Sequence, residues 1–407
     1  MSIDDSPVVL AYSGGLDTSF CIPWLKQQLK REVITVTVDT GGIDKKHADI
    51  LQDRAFKLGA MQHHIIDAKK EFFHKVIKYL IAGNIRKGHL YPLCVGAERG
   101  LQAEKLAVFA KNNDLNTVAH GCTAAGNDQV RFDIALRTLN PKLTILAPIR
   151  DNNWARKEQL RFLKKNNLPI SKNNSSYSVN RGLWGVTIGG KETLTSIDSI
   201  PEDAWPLSAN AFNRNLPETN HVIGFEQGVP TSLNNEKCNP VLLIEKLEEL
   251  CRSYAIGRGI HLGDTILGTK GRVAFEAPAA VTLIKTHREL EKLVLTALQI
   301  KTKELLAPMY GDFVHEGKQL DLASRDIEAF FESSQRRVTG EVKFSLKPGN
   351  LFITGVTSPY SLMQASSGLY GEKVGEWTAT DASGFSKILS LSGSLQSIVT
   401  RKLEKEL

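Results

Sequence analysis

The ten residues AYSGGLDTSF, Ala11 to Phe20, place Ser13, Gly14, Gly15, Asp17, Thr18 and Ser19 between the apolar run Val8-Val9-Leu10 and a helical pattern. Glycines let the backbone turn sharply and approach a ligand closely. The first amides of the following helix point outward with the positive end of its dipole, which suits a phosphate. Ser13, Thr18 and Ser19 add hydroxyl donors, and Asp17 can cap the helix or help orient a metal ion. The stretch is neither the lysine-bearing G-x-x-x-x-G-K-[ST] nor G-x-G-x-x-G. A strand before, a helix after and hydroxyls inside make it a phosphate loop rather than an ordinary Gly-Gly turn.

A second chemical stretch is HGCTAAGNDQVRFD, His120 to Asp133. It follows the β-branched run at Thr117, so Gly121-Cys122-Thr123 falls at the carboxyl end of a strand, where doubly wound sheets bind ligands. Arg131 can fork a carboxylate and Asp128 can accept from an ammonium. The plainer alternatives are a solvated turn at Asn127-Asp128-Gln129 and a surface ion pair for Arg131.

The elements that must position these residues follow an alternating pattern. Val8–Tyr12, Val33–Val38, Gln62–Ile66, Thr117–His120 and Leu143–Ala147 read as strands, with helices such as Ala48–Leu58 and Leu101–Ala110 between them. That alternation predicts an α/β fold with a doubly wound parallel sheet. Pro23 should bend or weaken the first turns of the helix after Asp17. The Asn-, Ser- and Lys-rich segment Lys164–Ser178 reads as a linker or surface loop. Beyond it, helices are expected over Thr286–Leu306 and Leu322–Gln335. A hairpin pairs Val342–Leu346 with Leu351–Val356 through Pro348-Gly349. Leu395, Ile398, Val399, Leu403 and Leu407 form a helical apolar stripe that packs on its own domain or on a neighbouring subunit. The predicted domains are 1–170, 171–365 and 366–407: a phosphate-binding domain, an α+β domain and a helical arm.

At 407 residues, 42% hydrophobic and 23% charged, the chain has the balance of a globular protein with a substantial core. No apolar run approaches the roughly 20 residues of a membrane span, and MSIDDSPVV has neither a basic nor an apolar signal region. Cys21, Cys94, Cys122, Cys238 and Cys251 are dispersed and form no C-x-x-C pair, which argues against a disulfide framework or a common zinc site. A cytoplasmic location is expected. The net charge of +7 permits nucleic-acid binding, but basic and acidic residues are interspersed, and a pocket for polyanionic small molecules explains the excess equally well. No nucleic-acid or membrane partner is expected.

SGGLDTS resembles the pyrophosphate loop of the ATP pyrophosphatases, which cleave ATP between its α- and β-phosphates. AYSGGLDTS, HGCTAAGNDQVRFD, APIRDNNWARKEQL, FEAPAA, SPYSLM and DASGF together resemble the argininosuccinate synthase family, in that family's order and over nearly the whole chain. The resemblance implies that citrulline's ureido oxygen attacks the α-phosphorus of ATP, releasing pyrophosphate, and that aspartate's amine then displaces AMP. It implies ATP and Mg²⁺ and a homotetramer joined by the C-terminal arm. It places ATP against Ala11, Tyr12, Ser13, Gly14, Gly15, Leu16, Asp17, Thr18, Ser19, Val38 and Gly121. Aspartate falls to Thr123, Asn127 and Asp128, and citrulline to Tyr91, Asn127, Arg131, Ser178, Thr187 and Phe275. Asp17, Ser19 and Asp128 would act most directly in the chemistry, with Asp128 one guess for the group that takes the amine's proton. The metal ligands are not implied.

Several positions depart from the family. Its lysine in G-K-G-N-D-Q is Ala125, a serine after the Tyr91 position is Gly96, a glutamate near citrulline's amino group falls at Gly263, and the tyrosine before E-[AT]-P is Phe275. An ammonium in a closed pocket needs a carboxylate or several acceptors. The substrate is expected to be citrulline or a citrulline whose α-amino group is acylated; the plainer alternatives to acylation are that a neighbour such as Asp264 takes over or that the gap-free match at Gly263 is shifted by one residue. Two rival readings remain: a pyrophosphate-loop tRNA thiolase, for which only Cys94 and Cys122 could serve, and an ATP-binding relative without turnover.

Overall fold

The computed structural model describes residues 5–170 and 177–406. Residues 171–176 of the expected linker, and Leu407, lie outside the described residues; the helix Arg156–Lys165 takes up the first two residues of that expected linker. The first sheet has β1 (Val8–Ala11), β2 (Val33–Asp39), β3 (Gln62–Asp67), β4 (Thr117–Ala119) and β5 (Thr144–Leu146), all parallel, in the order β3-β2-β1-β4-β5. Val8, Val9 and Leu10 are completely buried because helices cover both faces, as a parallel sheet requires. One face packs Phe20, Ile22 and Leu25 of the Leu16–Leu29 helix, which runs on through Pro23. The other packs Ala103, Leu106 and Ala110 of Glu98–Asn112 with Phe132 and Ala135 of Asp128–Leu139. The order reverses between β1 and β4, and their carboxyl ends open a crevice there.

The chain then forms β6 (Ser178–Gly182), β7 (Gly185–Gly189), β8 (Thr219–Glu226), β9 (Val229–Leu233), β10 (Glu236–Lys237), β11 (Arg258–Asp264), β12 (Lys270–Glu276), β13 (Gly340–Lys347) and β14 (Asn350–Thr357). They make two antiparallel sheets, β11-β12-β7-β6 and β10-β9-β8-β13-β14. The expected β13–β14 hairpin is present, with Lys347 paired to Asn350 across Pro348-Gly349. The largest core joins β8 and β13 to the helices Pro278–Val294, Ala297–Glu316 and Leu322–Gln335. It also recruits Phe72, Val76, Leu80, Tyr91 and Leu93, so this part of the N-terminal half packs in the second layer. The β6–β7 turn docks on the end of β2, where Leu183 N–H donates to Thr40 O at 3.0 Å. A Cβ on Gly41 (φ +117°) would stand 2.4 Å from that nitrogen.

The single helix expected over Thr286–Leu306 is two, ending at Val294 and restarting at Ala297. Thr296 caps the second: its Oγ1 accepts from Gln299 N–H at 3.3 Å while Gln299 Oε1 accepts from Thr296 N–H at 3.0 Å. The T-x-x-Q signature of this box interrupts an otherwise continuous apolar period.

Residues 1–358 form one compact unit and 359–407 another. The latter carries the helices Ala379–Leu389 and Leu391–Glu406, with Thr378 and Asp381 (of DASGF) forming a capping box. Its Phe385, Ile388, Leu389, Leu395, Ile398 and Val399 are all exposed.

A buried polar network ties the three core helices to the Ile81–Asn84 turn. Lys303 pairs with Glu291 and donates to Ala82 O at 2.9 Å, and Gln335 Nε2 donates to Glu291 Oε1 at 2.7 Å. His287 lies between Asn84 and Gln335 at 2.8 and 2.7 Å. Glu291 and Lys303 are each 2% exposed, so Lys303→Met strands a carboxylate in the core and is expected to lose about 3–5 kcal/mol in urea denaturation.

Candidate functional site

The crevice between β1 and β4 is the floor of a cavity of about 690 Å³. Ala11, Tyr12, Ser13, Gly15, Asp17, Thr18, Val38 and Gly121 line it, together with Thr123, Asn127, Asp128, Arg131 and Ser178. A smaller cavity of about 210 Å³ shares Asn127, Asp128, Arg131, Arg99 and Asn180 with the first and continues to Tyr91, Gly96, Thr187, His261, Gly263 and His315. The two are one site with two ends.

At the larger end the loop is held in shape by its own atoms. Gly14 has φ +71°, and its carbonyl accepts from Arg54 Nη1 at 2.6 Å. Ser13 N–H donates to Thr18 Oγ1 at 3.3 Å and the two hydroxyls are 3.2 Å apart. Gly15 occupies the N-cap without a capping side chain, leaving first-turn amides for a ligand. Gly14, Leu16 and Ser19, expected against the nucleotide, are not among the residues that line this cavity. Ser19 Oγ is buried without a protein hydrogen-bond partner. A Cβ on Gly121 would approach Thr18 Cγ2 to 2.9 Å, so glycine lets the β4 loop close on the helix start.

His120 locks the second motif. It is buried, its Nδ1 accepts from Cys122 N–H at 3.3 Å, and its Nε2 therefore donates to Asp133 Oδ1 at 3.0 Å. Asp133 also receives Arg150 Nη1 at 2.9 Å. Gly121–Thr123 is thereby fixed at the end of β4. Asn127 Oδ1 accepts from Ile266 N–H at 2.9 Å, leaving its amide N–H groups toward the cavity.

Asp128 stands where the two ends meet. Its Oδ2 accepts from Arg99 Nε at 2.9 Å and its Oδ1 from Arg131 Nη1 at 2.7 Å, with 36% of the side chain still open. Burial alone would raise this carboxyl, but the Arg99 and Arg131 guanidiniums outweigh burial and hold it well below the usual carboxylate range. Asp128 is thus a poor acceptor for a proton and a firm negative anchor, which goes against the guess that it takes the amine's proton. Arg131 is 7% exposed, and its Nε donates to His315 O at 2.7 Å.

The smaller end departs most from sequence expectation. Tyr91 lines it, but its hydroxyl donates to Cys94 O at 2.5 Å and its ring stacks on His261 at 5.6 Å. Phe275 is absent from both walls among the described residues; it is paired with Thr187 and shares that residue's face of the sheet, but it is buried against Tyr91, ring centroids 5.2 Å apart. Thr187 lines the smaller cavity, whereas Ser178 lines only the larger. A Cβ on Gly96 would lie 3.3 Å from the Arg131 guanidinium, and one on Gly263 only 2.6 Å from His261 Nε2. Arg131 and His261 therefore crowd the positions where side chains at 96 and 263 would begin. Arg99, His261 and His315 were not singled out in the sequence. Arg99 beside the Tyr91 stretch carried no motif, and the histidines arrive from distant strands and helices.

Glu98 closes the wall at the larger end. It is 1% exposed, its Oε2 accepts from Thr40 Oγ1 at 2.7 Å, and its Oε1 has no partner. Burial pushes its carboxyl up to about 7, with Arg99 and Thr40 pulling the other way.

A family model described as the argininosuccinate synthase N-terminal HUP domain matches residues 7–169, and one for the C-terminal domain of that synthase matches residues 177–396. Proteins named argininosuccinate synthase are similar over nearly their whole length. That of Dictyoglomus thermophilum is 39% identical over 394 residues (96% of this chain, 97% of the relative). That of Sulfurisphaera tokodaii is 36% identical over 400 residues (98% and 100%), and that of Methanocaldococcus jannaschii 38% over 370 (90% and 92%).

Two outcomes follow from the larger end. Gly14→Ala combines a positive φ with a Cβ 2.2 Å from Leu51 Cδ2 and is expected to weaken ATP binding about tenfold or more by calorimetry. Glu98 is held above its ordinary value of 4.5, so the stability it contributes is present below that value and lost as pH rises through about 7. Glu98→Gln is therefore expected to gain on the parent in urea denaturation as pH rises through that window, and to match it most closely at the acid end.

Proposed function

We propose a function on one premise: the chain belongs to the argininosuccinate synthase family. It is an ATP-dependent ligase that joins the ureido carbon of a citrulline to the amine of aspartate, with AMP and pyrophosphate as co-products. The observation that carries this reading is the continuity of the two cavities, with Asp128, Arg99 and Arg131 at their junction.

The loop Ser13–Ser19 receives the β- and γ-phosphates, and its amides and hydroxyls stabilise pyrophosphate as it leaves. Mg²⁺ bound to a nucleotide takes most of its ligands from phosphate and water and few from protein. Asp17, with the Ser13 and Thr18 hydroxyls, suits that role, and among the described residues no group of three or more acidic, His or Cys side chains offers a protein-only cage. When bound, the ion neutralises charge on the departing pyrophosphate. Thr123, Asn127 and Asp128 hold aspartate, with the Asp128 carboxylate anchoring the amino group, while Asn127 and Arg131 orient the ureido substrate. Holding the two reactants in line supplies most of the remaining rate.

The ureido substrate in this reading is an N-acylated citrulline. The acids on the smaller cavity wall are Asp128 and Asp264. Asp128 is taken by the two guanidiniums and the aspartate amino group, and Asp264 Oδ1 by Lys270 at 2.6 Å, so neither is reserved for a second ammonium. Arg99, Arg131, Arg272, His261 and His315 bias the same wall toward oxygen acceptors. The exposed apolar residues of the C-terminal helices support subunit contacts, and a homotetramer in the cytoplasm is the assembly we assign. Sulfur transfer to RNA is disfavoured, because burial pushes the Cys94 and Cys122 thiols up, away from the thiolate that such chemistry uses.

With ATP, Mg²⁺ and aspartate present and only the ureido compound varied, net product is expected to need both amino acids and to appear with AMP and pyrophosphate. N-acetylcitrulline should give a higher kcat/KM than citrulline. Preference for free citrulline would overturn the acyl reading alone, whereas ADP and orthophosphate would overturn the phosphate-loop reading.

A further inference from the structure

His315, near the end of the Ala297–Glu316 helix, is 8% exposed and stands on the wall of the smaller cavity. Its backbone carbonyl accepts from Arg131 Nε at 2.7 Å, and its Nδ1 is 3.2 Å from Arg131 Nη2. Guanidinium nitrogens only donate, so Nδ1 must be the accepting nitrogen of a neutral ring and the proton sits on Nε2. Burial, with Arg131 and Lys87 adding to it, lowers the imidazole to about 3, so the ring stays neutral at physiological pH. Nε2 is buried and has no protein partner. An unpartnered buried N–H is unfavourable until something accepts from it.

We propose that His315 is the specificity-determining residue of the smaller cavity, donating its Nε2–H to the amide carbonyl oxygen of the substrate's acyl group. This rests on the acyl-substrate reading above. An ammonium has only donors, so at this position it would face a donor; an amide offers an oxygen. The substrate's own carboxylate has a separate partner, because Arg131 uses three of its five N–H donors on Asp128 and His315 and keeps the other two. Both choices, which nitrogen carries the proton and which group can partner it, follow from the Arg131 guanidinium having only donors to offer.

Nitrogen-15 NMR of the whole enzyme with labelled histidine tests the tautomer directly: His315 is expected neutral at pH 7 with the proton on Nε2, and a proton on Nδ1 overturns the inference. Kinetics test the partner. His315→Leu is expected to raise KM for N-acetylcitrulline about tenfold, acting on KM more than on kcat and moving KM for citrulline much less, while His315→Gln, which keeps an N–H, recovers part of the loss. If the parent enzyme prefers N-acetylcitrulline and His315→Leu leaves that preference intact, or weakens both substrates equally, His315 does not read the acyl group. If the parent prefers free citrulline, the acyl reading itself is overturned, whatever the variants do.

Discussion

The carboxylate of Asp128 between the Arg99 and Arg131 guanidiniums is the interaction on which the site depends. Two guanidiniums with little solvent around them would repel each other and lose hydration, and a single carboxylate forked between them is what makes their approach tolerable. The three residues belong to the Glu98–Asn112 and Asp128–Leu139 helices, and Arg131 reaches on to the end of Ala297–Glu316 through His315. A charge cluster that holds three helices together is thus also the wall at which the two cavities meet. Its groups are already oriented by one another, and preorganised charge of this kind acts on a reacting centre without reorganising first.

The two ends of the site use different chemistry because different elements build them. At the β1 loop the wall offers backbone amides and hydroxyls, which suit a phosphate regardless of what carries it. At the other end, β11, β12 and the end of Ala297–Glu316 bring side chains: imidazole, guanidinium and a tyrosine whose hydroxyl is already taken. Two of the buried polar atoms without a protein partner belong to residues of this site's walls, Glu98 Oε1 and His315 Nε2. Most buried polar groups find partners on folding, so those left over at a cavity wall mark where a ligand completes the structure.

Much of the architecture was legible in the residues themselves. The β-branched runs at Val8, Val33 and Thr117 are buried on both faces and allow no reading but central strands, and the Leu322–Gln335 helix lies where its period placed it. Pro348-Gly349 dictated the hairpin. The break at Leu295-Thr296 was hidden because apolar period runs through it and only a local capping box, a weaker signal, interrupts. Phe275 read as a substrate contact by likeness of motif, and it shares a sheet face with the cavity-lining Thr187, yet it lies farther along that face, in the core against Tyr91.

The sequence by itself determined the phosphate loop, because a strand, two glycines, hydroxyls and a helix start form a local object whose parts are contiguous in the chain. It also determined which residues near His120 would stand at the end of β4, for the same reason. Only the tertiary structure decided that Asp128 is clamped between Arg99 and Arg131, that Arg131 fills the space beside Gly96, and that His315 reaches the cavity at all. Those outcomes depend on polar groups brought together from positions as far apart as Arg99 and His315, and local pattern carries no information about such distances.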